Sequence, residues 1–361
     1  MSRAFTPRAR VEAALRGERT DKVPFTMYEN KIPQCAAERA LRNRGLCVVK
    51  RDIPAFRTIR PNVRTTEAVE WREGKKFVRT RYATPVGVLE SLHEEAGFTI
   101  WWHEKLFKSP EDYKALDFFI RDARYLPNHE AFARAQAAFG EDAIFRAALG
   151  LEPLQDLISG SLMEMQDFCV QWMDARDEIL KLYAANVEQR RAVYSLVADS
   201  PALIANYGGN VVADVIGPKG FEEYYLPHYH EAAEALHRRG KLLGCHLDAN
   251  CRLLAPLVAR SALDYIEAFT PAPDTDMTLA EARAAWPDKI LWINFPSSRH
   301  LCPVAEVEEI AFRLAEEAGR SEGFLMGITE DIPADRWQAS CAAIMDGLDR
   351  HAKERPERYV R

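Results

Sequence analysis

The residues best suited to do chemistry lie in Lys241-Leu-Leu-Gly-Cys-His-Leu-Asp-Ala-Asn250, an apolar run that ends abruptly on His246 and Asp248. Successive side chains of a strand point to opposite faces, so these two would project together. An imidazole nitrogen beside a carboxylate oxygen is half of a catalytic zinc site, which needs a third protein ligand and one open position. The third ligand must come from elsewhere in the chain. The same spacing also suits a hydrogen-bonded core histidine followed by an aspartate that caps a helix beginning near Cys251. So short a pattern does not separate the two readings.

A pair of this kind needs a scaffold that holds its strand in register. Residues 9–16 read as an amphipathic helix ending at Gly17, and Val23–Tyr28 as a short strand. Residues 29–140 are less regular. Within them Lys76–Tyr82 and Ala83–Val88 read as a hairpin with its turn set by Pro85 and Gly87, and Trp101-Trp102-His103 as a packing cluster rather than a lid. From about residue 141 strands alternate with helices. Strand-like runs fall at 143–150, 202–210, 241–248, 262–269, 290–295 and 323–329, with helices over 160–199, 220–239, 278–286, 304–318 and from Pro333. That rhythm argues for a parallel sheet with right-handed crossovers. With the early strand the count is seven or eight, which predicts an α/β fold, a (β/α)8 TIM barrel. The expectation is a single domain over 1–361 with a helical and hairpin elaboration at about 1–140.

In such barrels the active site gathers at the carboxyl ends of the strands. Those ends carry Asn206 and Asn210, then His246, Asp248 and Asn250, then Glu267, Asn294, and Thr329-Glu330-Asp331. Asp248, Asn250 and Asp331 could each be a helix cap, whereas Glu267 and Glu330 are poor caps and weigh more. Glu29 and Asn30 end the first strand and should face the same mouth, so with Asn206, Asn210 and Asn294 they are assigned to substrate contact. Tyr207 and Phe269 would sandwich an aromatic substrate ring, or else pack. His228, His230 and His237 are read as helix-surface residues, because 228 and 230 diverge on a helix and 230 and 237 lie two turns apart.

Bulk properties exclude several classes. The 361 residues are 47% apolar and 28% charged, with a net charge of −6 and both signs mixed along the chain, so there is no footprint for nucleic acid or an anionic membrane. No signal-peptide core and no run of roughly 18 uncharged residues is present, which points to the cytoplasm. Seven cysteines without a Cys-x-x-Cys pair fit reduced thiols. Neither a Gly-x-Ser-x-Gly elbow nor a dinucleotide fingerprint occurs, and Gly217-Pro-Lys-Gly220 reads as a turn opening a helix.

Longer stretches carry a family likeness. Arg10-Val-Glu-Ala-Ala-Leu-Arg-Gly-Glu-Arg-Thr-Asp-Lys-Val-Pro-Phe25 resembles the opening of the uroporphyrinogen decarboxylase superfamily, particularly its cobalamin-dependent methyltransferase branch. Thr84–Gly87, Lys108–Tyr113, Gly217–His230, Leu236–Lys241 and Glu267–Pro271 are similar to the same branch. The resemblance covers most of the chain and implies one distorted TIM barrel.

In the coenzyme M methyltransferases of this superfamily zinc is held by a His-x-Cys pair on a strand and a later Cys. Here the matching positions are His246, Asp248 and, near the later Cys, Glu330. Two thiolates have become carboxylates, which leaves the ion a harder Lewis acid. That fits the corrinoid-dependent O-demethylases, in which a methyl group passes from a methoxylated compound to the cob(I)amide of a separate corrinoid protein.

The resemblance thus implies Zn²⁺ on His246 and Glu330, with Asp248 as third ligand or ligand support, and Glu267 as reserve ligand or proton-handling group. The small-molecule methyl donor is expected to be a methoxylated aromatic, with a methylamine-like compound or a methyl thioether as alternatives. The chain lacks the Asp-x-His-x-x-Gly pattern of cobalamin-binding domains, so the cobalamin is expected on a partner protein. A homodimer is possible.

Two other readings stay open. The metal-free decarboxylases carry an Arg-Gln-Ala-Gly-Arg segment after the first strand, where this chain has Met27-Tyr-Glu-Asn-Lys-Ile-Pro33, and Glu29 has the wrong sign for a polyanionic substrate. A non-catalytic corrinoid- or ligand-binding barrel is the third.

Overall fold

The computed structural model describes residues 5–97, 99–211 and 213–360. The chain divides into two compact units, one formed by the residues up to Pro54, Glu130–Ala148 and those from Pro201 on, the other by Ala55–His129 and Leu149–Ser200.

The first unit contains a closed barrel of eight parallel strands: β1 Phe25–Tyr28, β2 Cys47–Lys50, β3 Ala143–Ala148, β4 Ile204–Gly209, β5 Leu242–His246, β6 Tyr265–Phe269, β7 Ile290–Asn294 and β8 Phe324–Ile328. Each pairs with its neighbour in sequence, and β1 pairs with β8 to close the ring. The expected (β/α)8 topology is therefore what the chain adopts. Strands such as β6 and β8 are buried at every residue. This explains their near-continuous apolar sequence, since a parallel strand has the barrel interior on one side and helices on the other.

The interior is filled by Cys47, Val49, Ile144, Ile204, Tyr265, Trp292 and Leu325, against which the helix Pro7–Leu15 packs Val11, Ala14 and Leu15. That helix starts at Pro7, two residues before the expected position, because Thr6 caps it, its Oγ1 accepting from Ala9 N at 3.1 Å. β2 is the strand missing from the sequence reading. It has only four residues and follows the short helix Ala36–Asn43.

The helical segment after β4, Ala213–Tyr224, is two helices joined at Gly217, whose φ of 61° and ψ of 169° are not helical, so the expected turn does open a helix there, with Pro218 in its first turn. Another helix, Leu226–His237, follows. On it His230 and His237 are exposed as expected, but His228 is buried, because it lies in the helix's first turn with the buried Leu226 and Tyr229.

The second unit holds an antiparallel meander of Arg64–Arg72, Lys75–Thr84, Gly87–Ala96 and Thr99–Glu104, a two-stranded ladder of Phe56–Ile59 with Arg124–Pro127, and helices including Tyr113–Arg121 and Arg176–Ala198. The expected hairpin is the central pair of the meander. Its turn is Pro85-Val86, closed by Thr84 Oγ1, which accepts from Val86 N and donates to Gly87 O. Trp102 and His103 pack against His93 and Phe77, while Trp101 is exposed.

Candidate active site

His246 is the last residue of β5, and its register partner on β6 is Glu267. Side-by-side partners on parallel strands project to the same side, so the two meet: Nδ1 of His246 lies 2.8 Å from Glu267 Oε2. Gly209 on β4 makes room for the imidazole. A Cβ there would lie 3.0 Å from His246 Cβ, and its φ of +151° disfavours any other residue.

The other ring nitrogen, Nε2, faces Oδ2 of Asp248, two residues past the end of β5, at 3.2 Å. Asp248 does not cap the turn that follows. Asp276 does, its Oδ1 accepting from Cys251 N at 3.0 Å and from Arg252 N at 3.3 Å. Glu330, two residues beyond β8, completes the group: one ligand atom each from His246, Asp248 and Glu330 lie within 4.8 Å of one another, and all three side chains are half-buried.

Below this group sits a buried polar network. Tyr28 Oη and Arg146 Nη1 both donate to Glu267 Oε1. Asn206 Nδ2 donates to Oε2 at 2.9 Å, and Tyr265 Oη holds Asn206 Oδ1 at 2.6 Å. Burial alone would raise the Glu267 carboxyl, but Arg146 and His246 outweigh it and hold the group ionised, well below the usual carboxylate range. Burial would likewise lower His246, yet Glu267 and Asp248 push it up to about 9. Glu330 is raised by burial and by the charge of Asp248. Two carboxylates facing one another in a half-buried mouth favour a proton or a cation between them.

The donor set fits zinc. One nitrogen and two carboxylate oxygens are ligand types that zinc accepts in catalytic sites, where three protein ligands leave one position for water or substrate. Nδ1 is already tied to a carboxylate, which fixes the ring with Nε2 toward the other ligands, an arrangement typical of metal-binding histidines.

The remaining expected residues divide. Glu29 and Asn30 reach the mouth but are engaged with Arg51, at 3.2 and 3.1 Å. Asn210 is exposed just past β4. Asn206 is buried and supports Glu267, so it does not contact solvent. Asn294, fully buried, accepts from Thr329 N and donates to Thr270 Oγ1, tying strand ends together rather than facing the mouth.

The aromatic sandwich is not formed. Tyr207 follows inward-facing Asn206 and so points outward, onto Tyr229. Phe269 would face inward by simple alternation, but Ala268 adopts φ 59° and the register slips between Glu267 and Phe269, turning the ring out against Trp286.

Three residues were missed. Tyr28 ended the first strand unnoticed, Arg146 is a lone charge inside the apolar run Ala143-Ile-Phe-Arg-Ala-Ala148, and Arg51 stacks on the Tyr28 ring at 3.5 Å. A charge at an inward position of a barrel strand was the available signal.

Fold and site together define a closed parallel barrel with a histidine–carboxylate cluster at the carboxyl ends of its strands. Among solved structures, a methyltransferase from Methanosarcina mazei superposes with a TM-score of 0.58 over 96% of this chain and 99% of that one, at 10% sequence identity. That likeness is one of fold. Two structures of pneumococcal StrH, an exo-β-D-N-acetylglucosaminidase, align at a TM-score of 0.39 with 9% and 8% identity, over 95% and 94% of this chain and 85% and 86% of those chains. No family model matches the sequence, and no curated protein does.

Proposed function

We propose that this chain is a zinc-dependent methyltransferase that takes a methyl group from a methoxylated, aromatic substrate and delivers it to the cob(I)amide of a corrinoid protein. The observation that carries the reading is the meeting of His246, Asp248 and Glu330 from the ends of β5 and β8. The fold shared with a structure described as a methyltransferase supports it.

Cob(I)amide is a strong nucleophile, but an alkoxide or phenoxide leaves badly. A bound zinc ion would supply Lewis-acid stabilisation of the negative charge that develops on the ether oxygen. The protein's own part is to place and tune that ion. Glu267 accepts from His246 Nδ1 and so orients Nε2, and Arg146, Tyr28 and Asn206 hold Glu267 in turn. We assign Glu267 this positioning role and leave ligation to the triad, because both its oxygens are engaged. Asp248 and Glu330 bring two negative charges, which make the site attractive to a divalent cation and unattractive to a second anion at the ligand plane.

Incubating the zinc-loaded protein with chemically reduced cob(I)alamin and a methoxybenzene donor tests the reading. The expected result is conversion of the cob(I) spectrum to that of methylcobalamin, with release of the phenol in equal amount. Absence of conversion with a panel of methoxylated donors, in protein shown to carry zinc, would refute it.

A further inference from the structure

The two strand ends that carry His246 and Glu330 are joined by a buried chain of hydrogen bonds that uses none of the ligand side chains. It begins at Leu247, the residue between His246 and Asp248, whose N donates to the backbone O of Glu267 at 2.9 Å and carries the β5–β6 ladder one step past His246. The next carbonyl along β6, that of Ala268, accepts from Thr270 Oγ1 at 3.1 Å. The same hydroxyl oxygen accepts from Asn294 Nδ2, at the end of β7, at 3.4 Å. Asn294 Oδ1 in turn accepts from Thr329 N at 2.9 Å, and the residue after Thr329 is Glu330. No member of the chain is more than 7% exposed.

Side chains make the middle of this chain because the backbone ladder gives out there. Phe295 N still donates to Gly327 O at 2.8 Å, but the chain then leaves through Pro296 into the 3₁₀ turn Ser297–Leu301. Pro296 has no N–H to offer a neighbouring strand. On β6, Ala268 stands at φ 59° where the register with β7 slips. A strand end freed from its ladder opens easily. Asn294 spans the gap, since an amide carries both an acceptor, used toward β8, and a donor, used toward β6. The Thr329 hydroxyl is buried with no hydrogen-bond partner among the described residues, so it is the backbone before Glu330 that the chain holds.

We propose that Asn294 and Thr270 are positioning residues that fix the separation between the His246–Asp248 end and Glu330, and with it the fit of the site to its ion. The inference rests on the reading of those three residues as metal ligands. A site held in place before the ion arrives does not have to order a strand end on binding, and losing a residue that orients ligands typically costs about 10- to 100-fold in metal affinity.

Zinc competition titrations and the visible spectrum of the Co²⁺-loaded protein test this on the full chain. Thr270→Val removes the hydroxyl at nearly constant shape and should weaken zinc binding by about 10-fold or more, as should Asn294→Leu. The two changes combined should cost little beyond either alone, because they cut one chain. Thr270→Ser restores the hydroxyl and should restore wild-type affinity. The Co²⁺ spectrum reports the number and arrangement of ligands rather than the stability of the barrel, so it should change in Thr270→Val and not in Thr270→Ser. Wild-type affinity and spectrum in folded Thr270→Val, or an equal loss in Thr270→Ser, would overturn the proposal. If Asn294→Leu does not fold, the Thr270 pair, which leaves Asn294 in place, decides. Failure of the metal reading looks different: there the wild type itself binds no zinc, or His246→Ala binds it equally well.

Discussion

Both oxygens of Glu267 are filled, one by Tyr28 and Arg146 and the other by Asn206 and His246. A fully buried charge is tolerable only with such compensation, and removing it leaves Arg146 unbalanced in the barrel interior. Glu267→Gln keeps the shape and deletes the charge. We expect a loss of about 3–5 kcal/mol in urea unfolding and zinc affinity lower by about 10- to 100-fold in a competition assay. Unchanged values for both would remove Glu267 from its positioning role.

His300 makes a second prediction at this scale. It is buried against Phe295 and bonded to Ser340, and burial outweighs the nearby Asp274 to lower its pKa to about 4. Between that value and the ordinary one near 6.5 the unfolded chain binds the proton and the folded chain does not. Stability should therefore be intact above neutral pH and fall as the pH drops from about 6.5 toward 4, by of the order of 3 kcal/mol. Urea unfolding at pH 7.5 and pH 5 should show the loss in the wild type and a smaller one in His300→Gln. Equal losses would refute the assignment.

At the residue scale the sequence made His246 and Asp248 legible, because the period of two expected of a strand puts them on one face, although β5 ends at His246. The companions of Glu267 were not legible. Tyr28 and Arg146 look like ordinary strand residues until the barrel closes and brings β1 and β3 alongside β6.

The elements carry their own constraints. Gly244 lies two residues before His246 on β5, and a methyl there would overlap the ring of Tyr265, its register partner. That ring also holds Asn206 and, through it, Glu267. Gly244→Ala should displace Tyr265 and cost about 1–3 kcal/mol, with weaker zinc binding although no ligand is altered. Thermal unfolding and metal titration of the variant check this, and a wild-type affinity would show that the ring does not transmit to the site.

Most barrel strands and their helices followed from the alternation of apolar runs with helical periods. β2 did not, since Cys47-Val-Val-Lys50 is too short to show a period. The orientation of Phe269 did not either, because the irregularity at Ala268 breaks the alternation from which it was inferred.

On the scale of the whole molecule, the proposed ligands come from β5 and β8, which are not neighbours in the barrel. A metal ion would thus join two strand ends separated by β6 and β7, and any ligand that binds only the folded state stabilises it by mass action. Zinc at about 100 times its dissociation constant should add about 2.7 kcal/mol, seen as a melting temperature raised by a few degrees, and His246→Ala should abolish the rise. A similar shift in the variant would place the ion elsewhere. Among the described residues no helix is long and apolar enough to cross a membrane.

Fold class was legible at this scale because seven strand runs, six of them alternating with helices, leave few arrangements. The reaction was not, since fold likeness alone assigns no chemistry. The most direct test of the central claim is the metal content of the purified protein, measured by plasma mass spectrometry beside His246→Ala and Glu330→Ala. The account predicts about one zinc per chain in the wild type, lost in both variants. A wild type that carries no zinc and gains none on incubation, or variants that retain it, would contradict a site built from His246, Asp248 and Glu330.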